Sequence, residues 1–328
     1  MSRQATDRRG APKTRAARAA MSGDGGFVLV SVLWLLALLT LITLALLTAV
    51  RLDVRATGQL TGHAEAEALA DGLMRLVALR LGDRDHRPLA AEGLARDGTA
   101  MRCKHEDAVV AIAVTDVGGL VDLNAASANL LEWLLRGLGA APDKAVSLAA
   151  AIVDFRDEDD VPSVNGAESA AYRAAGLAHG PKNAPFETVT ELDQVLGMNR
   201  ELLNRLRAVA TVHSRLPGID ATLAPREILS AAAASSRADV AAASQQPGTP
   251  SSADIPREFR ISSRGRAYRV MVSVQLPKGG RFAREAVIEI DRTAPLGFWI
   301  REWTVTAPGM ADVSELSGDM VQCVRALA

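Results

Sequence analysis

From Phe27 to Val50 the chain reads FVLVSVLWLLALLTLITLALLTAV, with no charged position. As a helix, these 24 residues rise about 36 Å, a little more than the roughly 30 Å hydrocarbon core of a bilayer. A helix of this length in a soluble core would show a polar face, and this one has none. A cleavable secretory signal is the alternative, but its apolar part is usually only about 7–15 residues and ends at a small-residue site. Residues 1–26 are basic, with Arg3, Arg8, Arg9, Lys13, Arg15 and Arg18 against Asp7 and Asp24. That charge keeps the N-terminus cytoplasmic and sends residues 51 onward across the membrane.

Beyond Arg51, Asp53 and Arg55 the pattern changes to spacings of three and four. Leu60, Ala64, Leu69, Leu73, Leu76, Val77 and Leu81 predict a continued, amphipathic helix that stops at Gly82 and Pro88. Period-two or β-branched runs predict strands over 108–119, 267–276, 284–293 and 298–306, with a hairpin turn at Pro277–Gly280. Trp299 and Trp303 are read on opposite sides, or nearly so, of the last strand; core is expected for both, and contact of one with a partner is the alternative. Between the first and second strands the pattern is helical. Asn124 is expected to cap a helix ending near Gly137 or Gly139, SLAAAIVDF forms a second, and Thr188 with Glu191 makes a capping box. Residues 235–256, rich in Ser, Ala, Pro and Gln, show no period and are read as a linker.

Composition adds constraints. Apolar residues make up 48% and aromatics 4%, so the core is built of Ala, Leu and Val. A net charge of −1 gives no electrostatic footprint for nucleic acid. The segments around LRGLGAAP and QVLGMNRELL resemble helix-hairpin-helix units, but Glu187, Glu191 and Asp193 surround the second, so packing is expected there and DNA contact is the alternative. Cys103 and Cys323 match no metal or redox spacing; they either pair outside the cytoplasm or serve as two small core thiols. The five histidines are scattered, and no HExxH, GxSxG or phosphate-loop motif occurs. Glu65 and Glu67 are read as facing solvent or other subunits.

The densest chemistry lies in IVDFRDEDDVPSVNGAE. Asp154, Asp157, Glu158, Asp159, Asp160 and Glu168 place six carboxylates within fifteen residues, offset only by Arg156. Crowded carboxylates repel one another unless a cation intervenes, and an all-oxygen set suits Ca²⁺. Asp157, Asp159 and Glu168 fall at offsets one, three and twelve, with the Val161 carbonyl at five. Pro162 stands where an EF-hand has Gly, so the loop is not an EF-hand. A solvated acidic loop is the alternative.

Several segments carry a family resemblance. Gly25-Gly26-Phe27 before the apolar helix resembles a prepilin junction, which implies cleavage between Gly26 and Phe27 by a prepilin peptidase and methylation of Phe27. Most prepilins have Glu at mature position five, where this chain has Ser31. VDLNAAS, IVDFRDEDDVPSVNGAESAAY, GPKNAPFETVTELDQVLGM and ATLAPREIL resemble, in order, the type II secretion minor pseudopilin protein K family, which also lacks that Glu.

The resemblance implies an α+β pseudopilin fold. A long N-terminal transmembrane and spine helix packs on an antiparallel sheet, and a large all-α domain of SAM or helix-hairpin-helix type is inserted in that sheet. The expected divisions are a cytoplasmic leader (1–26), a transmembrane helix (27–50), the spine and first strands (51–121), the insert (122–231), a linker (232–256) and the closing strands (257–328). It implies Ca²⁺ held by Asp157, Asp159 and Glu168, then Asp160 and Asp154, the last being either ligand or brace. It further implies a structural, non-catalytic subunit of the bacterial inner membrane, with its C-terminal part periplasmic. Expected partners are minor pseudopilins I and J in a tip complex, other pseudopilins, the inner-membrane platform, the peptidase and secreted substrates. A membrane-tethered DNA-binding protein of the competence type is the rival reading.

Overall fold

The computed structural model describes residues 25–82, 95–239, 250–277, 279–306 and 321–322. Residues 1–24 of the leader, the Pro88 stop, residues 240–249 of the expected linker and Cys323 lie outside them. The chain divides into two compact units, Met1–Gly58 and Gln59–Ala328, each taken here by itself. Helix α1 (Gly25–Gly82) crosses the division. In the first unit its stretch Phe27–Thr48, of mean hydropathy 2.7, buries none of its residues. No water-facing helix would keep so much exposed Leu, so this segment is suited to lipid.

In the second unit a six-stranded sheet has the order β7-β6-β5-β2-β1-β8. Its strands are β1 (Met101–His105), β2 (Ala108–Asp116), β5 (Ala267–Gln275), β6 (Arg281–Ile290), β7 (Phe298–Val305) and β8 (Val321–Gln322). All pairings are antiparallel except β1 with β8, where Cys103 lies opposite Val321. Cys103 is buried and disulfide-bonded. The sequence contains one other cysteine, Cys323.

The C-terminal part of α1 lies on one sheet face. Ala66, Ala70, Leu73, Met74, Val77 and Ala78 are buried against Val110, Ile112, Val270, Val272 and Ile288. Of the expected stripe, Leu73 and Val77 are buried and Leu69, Leu76 and Leu81 pack beside them, but Leu60 is 72% exposed and Ala64 is exposed, and Ala66, Ala70 and Ala78 complete the inner face. The reason is proximity. A Cβ on Gly280 would overlap the Gly62 carbonyl, so helix and β5–β6 hairpin meet backbone to backbone. Glu67 is not free either. It accepts from Arg284 at 2.9 Å while Asp71 accepts at 2.8 Å, and that buried guanidinium also lies over the Phe282 and Trp303 rings.

Between β2 and β5 the chain forms α2 (Ala128–Gly137), α3 (Pro142–Arg156), α4 (Ser169–Ala174), a 3₁₀ turn (Val189–Gln194), α5 (Arg200–Val209) and α6 (Arg226–Asp239). The first of these, α2, is capped by Ser127 rather than Asn124; Asn124 instead clamps Phe186, accepting its N–H at 2.7 Å and donating to its carbonyl at 2.9 Å. The Thr188–Glu191 box forms as expected, with the Glu191 carboxylate accepting the Thr188 N–H at 2.8 Å. The insert is not purely helical: β3 (Val121–Asp122) and β4 (Ala210–Thr211) pair in parallel. The expected linker starts too early. Its first residues continue α6 to Asp239, because the Ala run favours helix and buries Ala231, Ala232 and Ala233. The insert's core, centred on Leu131, Leu134, Ile152, Phe155 and Leu206, extends to Ala267 and Val287 on the sheet face away from α1. Arg269 fastens the two by donating to the Arg207, Ala208 and Ala210 carbonyls at the end of α5.

Candidate metal centre

The acidic loop begins where α3 ends. Helix α3 starts with Pro142 at its first turn and buries Leu148, Ala149, Ile152 and Phe155; its Asp157 cap still donates its N–H to the Val153 carbonyl at 3.2 Å. The loop therefore starts at the negative end of a helix dipole, a poor place for more carboxylates and a good one for a cation.

Ligand-capable oxygens of Asp157, Asp159 and Glu168 all lie within 4.8 Å of one another. At an effective dielectric near 20, two full charges that close repel by about 3 kcal/mol. Glu168 is only 3% exposed, and neither of its carboxylate oxygens has a hydrogen-bond partner; Asp157 Oδ1 is also buried and unpartnered. Burial, reinforced by Asp154, Asp157 and Asp160, pushes the Glu168 carboxyl up to about 7. Burial raises Asp157 as well, with Asp159 and Asp154 adding to it. A buried carboxylate pair without donors costs several kcal/mol unless protons or a cation supply the missing positive charge.

The loop's own basic residue does not supply that charge. Arg156 points away and donates to the Leu123 carbonyl and, at 2.6 Å, to that of Ala126. Lys182 pairs with Glu191 at 2.8 Å. A hard divalent ion fits the site, since the three carboxylates supply oxygen donors only and leave coordination positions for carbonyls or water.

The other two expected ligands stand outside the triad. Asp154 is fully buried and braces the loop, accepting the Ala167 N–H at 2.8 Å and the Ser163 N–H at 3.2 Å. Asp160 is exposed; hydrogen bonds from Ser169 hold its carboxyl below the usual range. Two contributors escaped the sequence reading. At Gly166 any Cβ would overlap the Asp154 carboxylate, so only glycine lets the loop close on its brace. Asn183, in a left-handed conformation (φ 49), donates to the Asp159 carbonyl at 2.8 Å and leaves its own Oδ1 buried without a partner. Its distance in sequence hid it; the only signal was an Asn in a Gly-Pro-Lys-Asn turn.

At the other expected site, the Gly26–Phe27 bond lies in the first turns of α1, and the Ser31 hydroxyl donates to the Val28 carbonyl at 2.9 Å. The residue expected at mature position five thus carries no charge. The two helix hairpins do turn on glycines of positive φ, Gly139 (88°) and Gly197 (86°). The nearby Arg205 is engaged with the Leu138 carbonyl and Glu201, both at 2.6 Å, rather than left for a phosphate.

Comparison with known proteins gives a consistent result. Residues 113–215 match the family model described as type II secretion system (T2SS), protein K. The chain is 31% identical over 154 residues to type II secretion system protein K of Klebsiella pneumoniae, covering 43% of this chain and 46% of that protein. It is 35% identical over 79 residues to the protein of the same name from Pectobacterium carotovorum subsp. carotovorum, covering 24% of each. These matches thus span about half the length of the curated relatives or less. In fold, the chain is similar to one in the crystal structure of the GspK-GspI-GspJ complex from the enterotoxigenic Escherichia coli type 2 secretion system. That match has a TM-score of 0.50 at 17% identity and covers 78% of this chain and 99% of that one.

Proposed function

Since residues 113–215 match the family model of type II secretion system protein K, we propose that the chain is a minor pseudopilin, a structural rather than catalytic subunit of that export machine. It is anchored in the inner membrane by Phe27–Thr48, with the remainder periplasmic. Its partners are pseudopilins of the I and J type, as in the complex that its structural neighbour forms. The bulk of the insert suits the tip of a fibre, where no further subunit stacks above. Ser31 agrees with a first subunit, which needs no carboxylate to meet the N-terminus of a predecessor. The acidic triad binds Ca²⁺, with Asp157, Asp159 and Glu168 as side-chain ligands and Asp154 as their brace. The ion supplies the positive charge that the loop lacks.

The reading is carried by one combination: a protein K domain in the same chain as a 22-residue apolar helix that nothing covers. Deletion of the gene, followed by measurement of exported proteins in the medium, tests it. Export should stop and return with the intact gene, and the mature chain should begin at methylated Phe27 by mass spectrometry. Undiminished export would overturn the reading.

A further inference from the structure

Of the six asparagines in the chain, only Asn165 precedes a glycine. The Asn165-Gly166 pair forms the turn of the acidic loop, between Asp159 and Glu168 of the triad. Asn165 is exposed and holds a left-handed backbone (φ 64), beside Val164, which is 88% exposed. In an Asn-Gly pair the main-chain nitrogen of glycine meets the preceding side-chain amide with least hindrance, because glycine has no Cβ and the least restricted backbone.

The closed loop withholds that nitrogen. The Gly166 N–H is donated to the Ser163 carbonyl at 2.8 Å. Gly166 also sits directly on the Asp154 carboxylate, which accepts the Ser163 N–H at 3.2 Å and the Ala167 N–H at 2.8 Å, so both ends of the turn are held. Attack on the Asn165 side chain requires the Gly166 nitrogen to lose its proton and rotate, and neither can happen while it is bonded to Ser163. The loop must open first. The Asp154 brace opposes opening, and the mutual repulsion of Asp157, Asp159 and Glu168, whose oxygens lie within 4.8 Å of one another, favours it. A cation cancels that repulsion. Glu168 stands two residues beyond Gly166, so an opening that swings the turn away also pulls a ligand from the ion. Local opening and ion occupancy therefore compete.

We propose that Asn165 is a self-modification site, deamidating at a rate that calcium occupancy of the loop controls. Solvent hydroxide takes the Gly166 N–H proton, and the nitrogen bonds to the Asn165 side-chain carbonyl carbon. The amide nitrogen leaves as ammonia with a proton from water, which regenerates hydroxide and closes a succinimide. Water then opens the ring at either carbonyl, giving aspartate or isoaspartate, with no oxidant or reductant involved. Both products add a negative charge to a loop already crowded with carboxylates. Isoaspartate also inserts a methylene into the main chain, in a turn that closes directly on Asp154. The converted loop cannot re-form the same site, so a subunit left without calcium is altered irreversibly. The inference rests on the calcium reading above.

The test uses the full chain in detergent, incubated with calcium chloride in one arm and EDTA in the other, with conversion at each asparagine followed by peptide mapping in a mass spectrometer. Titration calorimetry measures calcium binding separately, and a synthetic VPSVNGAES peptide gives the rate of the open segment. The expected result is conversion of Asn165 in EDTA, slowed roughly a hundredfold by calcium at about a hundred times its dissociation constant. Asn124, Asn129, Asn183, Asn199 and Asn204 should stay intact in both arms. Glu168→Gln should make the Asn165 rate indifferent to calcium, and Asn165→Gln should stop conversion while still binding the ion. Calcium that binds yet leaves the Asn165 rate unchanged overturns the proposal and leaves the calcium reading standing. An Asn165 that stays intact in EDTA while the peptide converts fully also overturns the proposal. Absence of calcium binding overturns both.

Discussion

The carboxylates under the sheet and those on the insert's loop solve the same electrostatic problem in opposite ways. Glu67 and Asp71 meet the Arg284 guanidinium, whose side chain is only 7% exposed and stacked on two aromatic rings. Asp157, Asp159 and Glu168 crowd together while Arg156 and Lys182 bond elsewhere. The first group is complete without a ligand. The second leaves buried carboxylate oxygens of Asp157 and Glu168 without donors, and that contrast, more than the carboxylate count, is what supports the proposed calcium site.

The contrast can be broken most severely at Arg284. Arg284→Ala strands two acids and removes the stacking, so it should cost about 3–5 kcal/mol and show as a large fall in thermal midpoint, whatever the calcium level. Gly166→Ala comes next. It forces the loop off Asp154, should cost about 2–3 kcal/mol, and should abolish calcium binding in titration calorimetry. Calcium itself, at about a hundred times its dissociation constant, should add about 2.7 kcal/mol to wild-type stability and nothing after EDTA treatment.

Glu168 sharpens the comparison by reversing a sign. Its folded carboxyl lies near 7, above the usual 4.5, so the calcium-free fold binds more protons than the unfolded chain between those values. Stability of the calcium-free protein should be fully present below about pH 4.5 and fall as pH rises through 7, by up to about 3 kcal/mol. Melting curves at several pH values would show the slope, and calcium should flatten it. Glu168→Gln should lose both the slope and the calcium response while gaining about 1 kcal/mol at pH 8 without metal. A variant that lost stability there and still responded to calcium would contradict the assignment.

Much of this architecture was legible in residue patterns. The lipid-compatible segment needed only the absence of charge, and the strands needed only alternation. The carboxylate triad was visible because its members fall within twelve residues. What stayed hidden depended on approach between distant segments. The predicted stripe on α1 failed only at Leu60 and Ala64, beside Gly62, where helix and hairpin meet backbone to backbone. Asn124 carries a capping signature, yet its partner is Phe186, sixty-two residues away. Asn183 joins the loop across a gap of 24 residues. None of these is a local property of the chain.

The parallel pairing of β3 with β4 has a mechanical consequence. The chain leaves the sheet through Val121–Asp122 and comes back through Ala210–Thr211, side by side, with the Leu123 N–H also bonded to the Thr211 carbonyl at 2.8 Å. Tension that draws these two crossing points apart along the strands loads the bonds in shear, all at once, before it reaches the helices between them. Helices α2 to α5 and the acidic loop are thus shunted out of the line of force, whereas α6, which follows β4, stays in it.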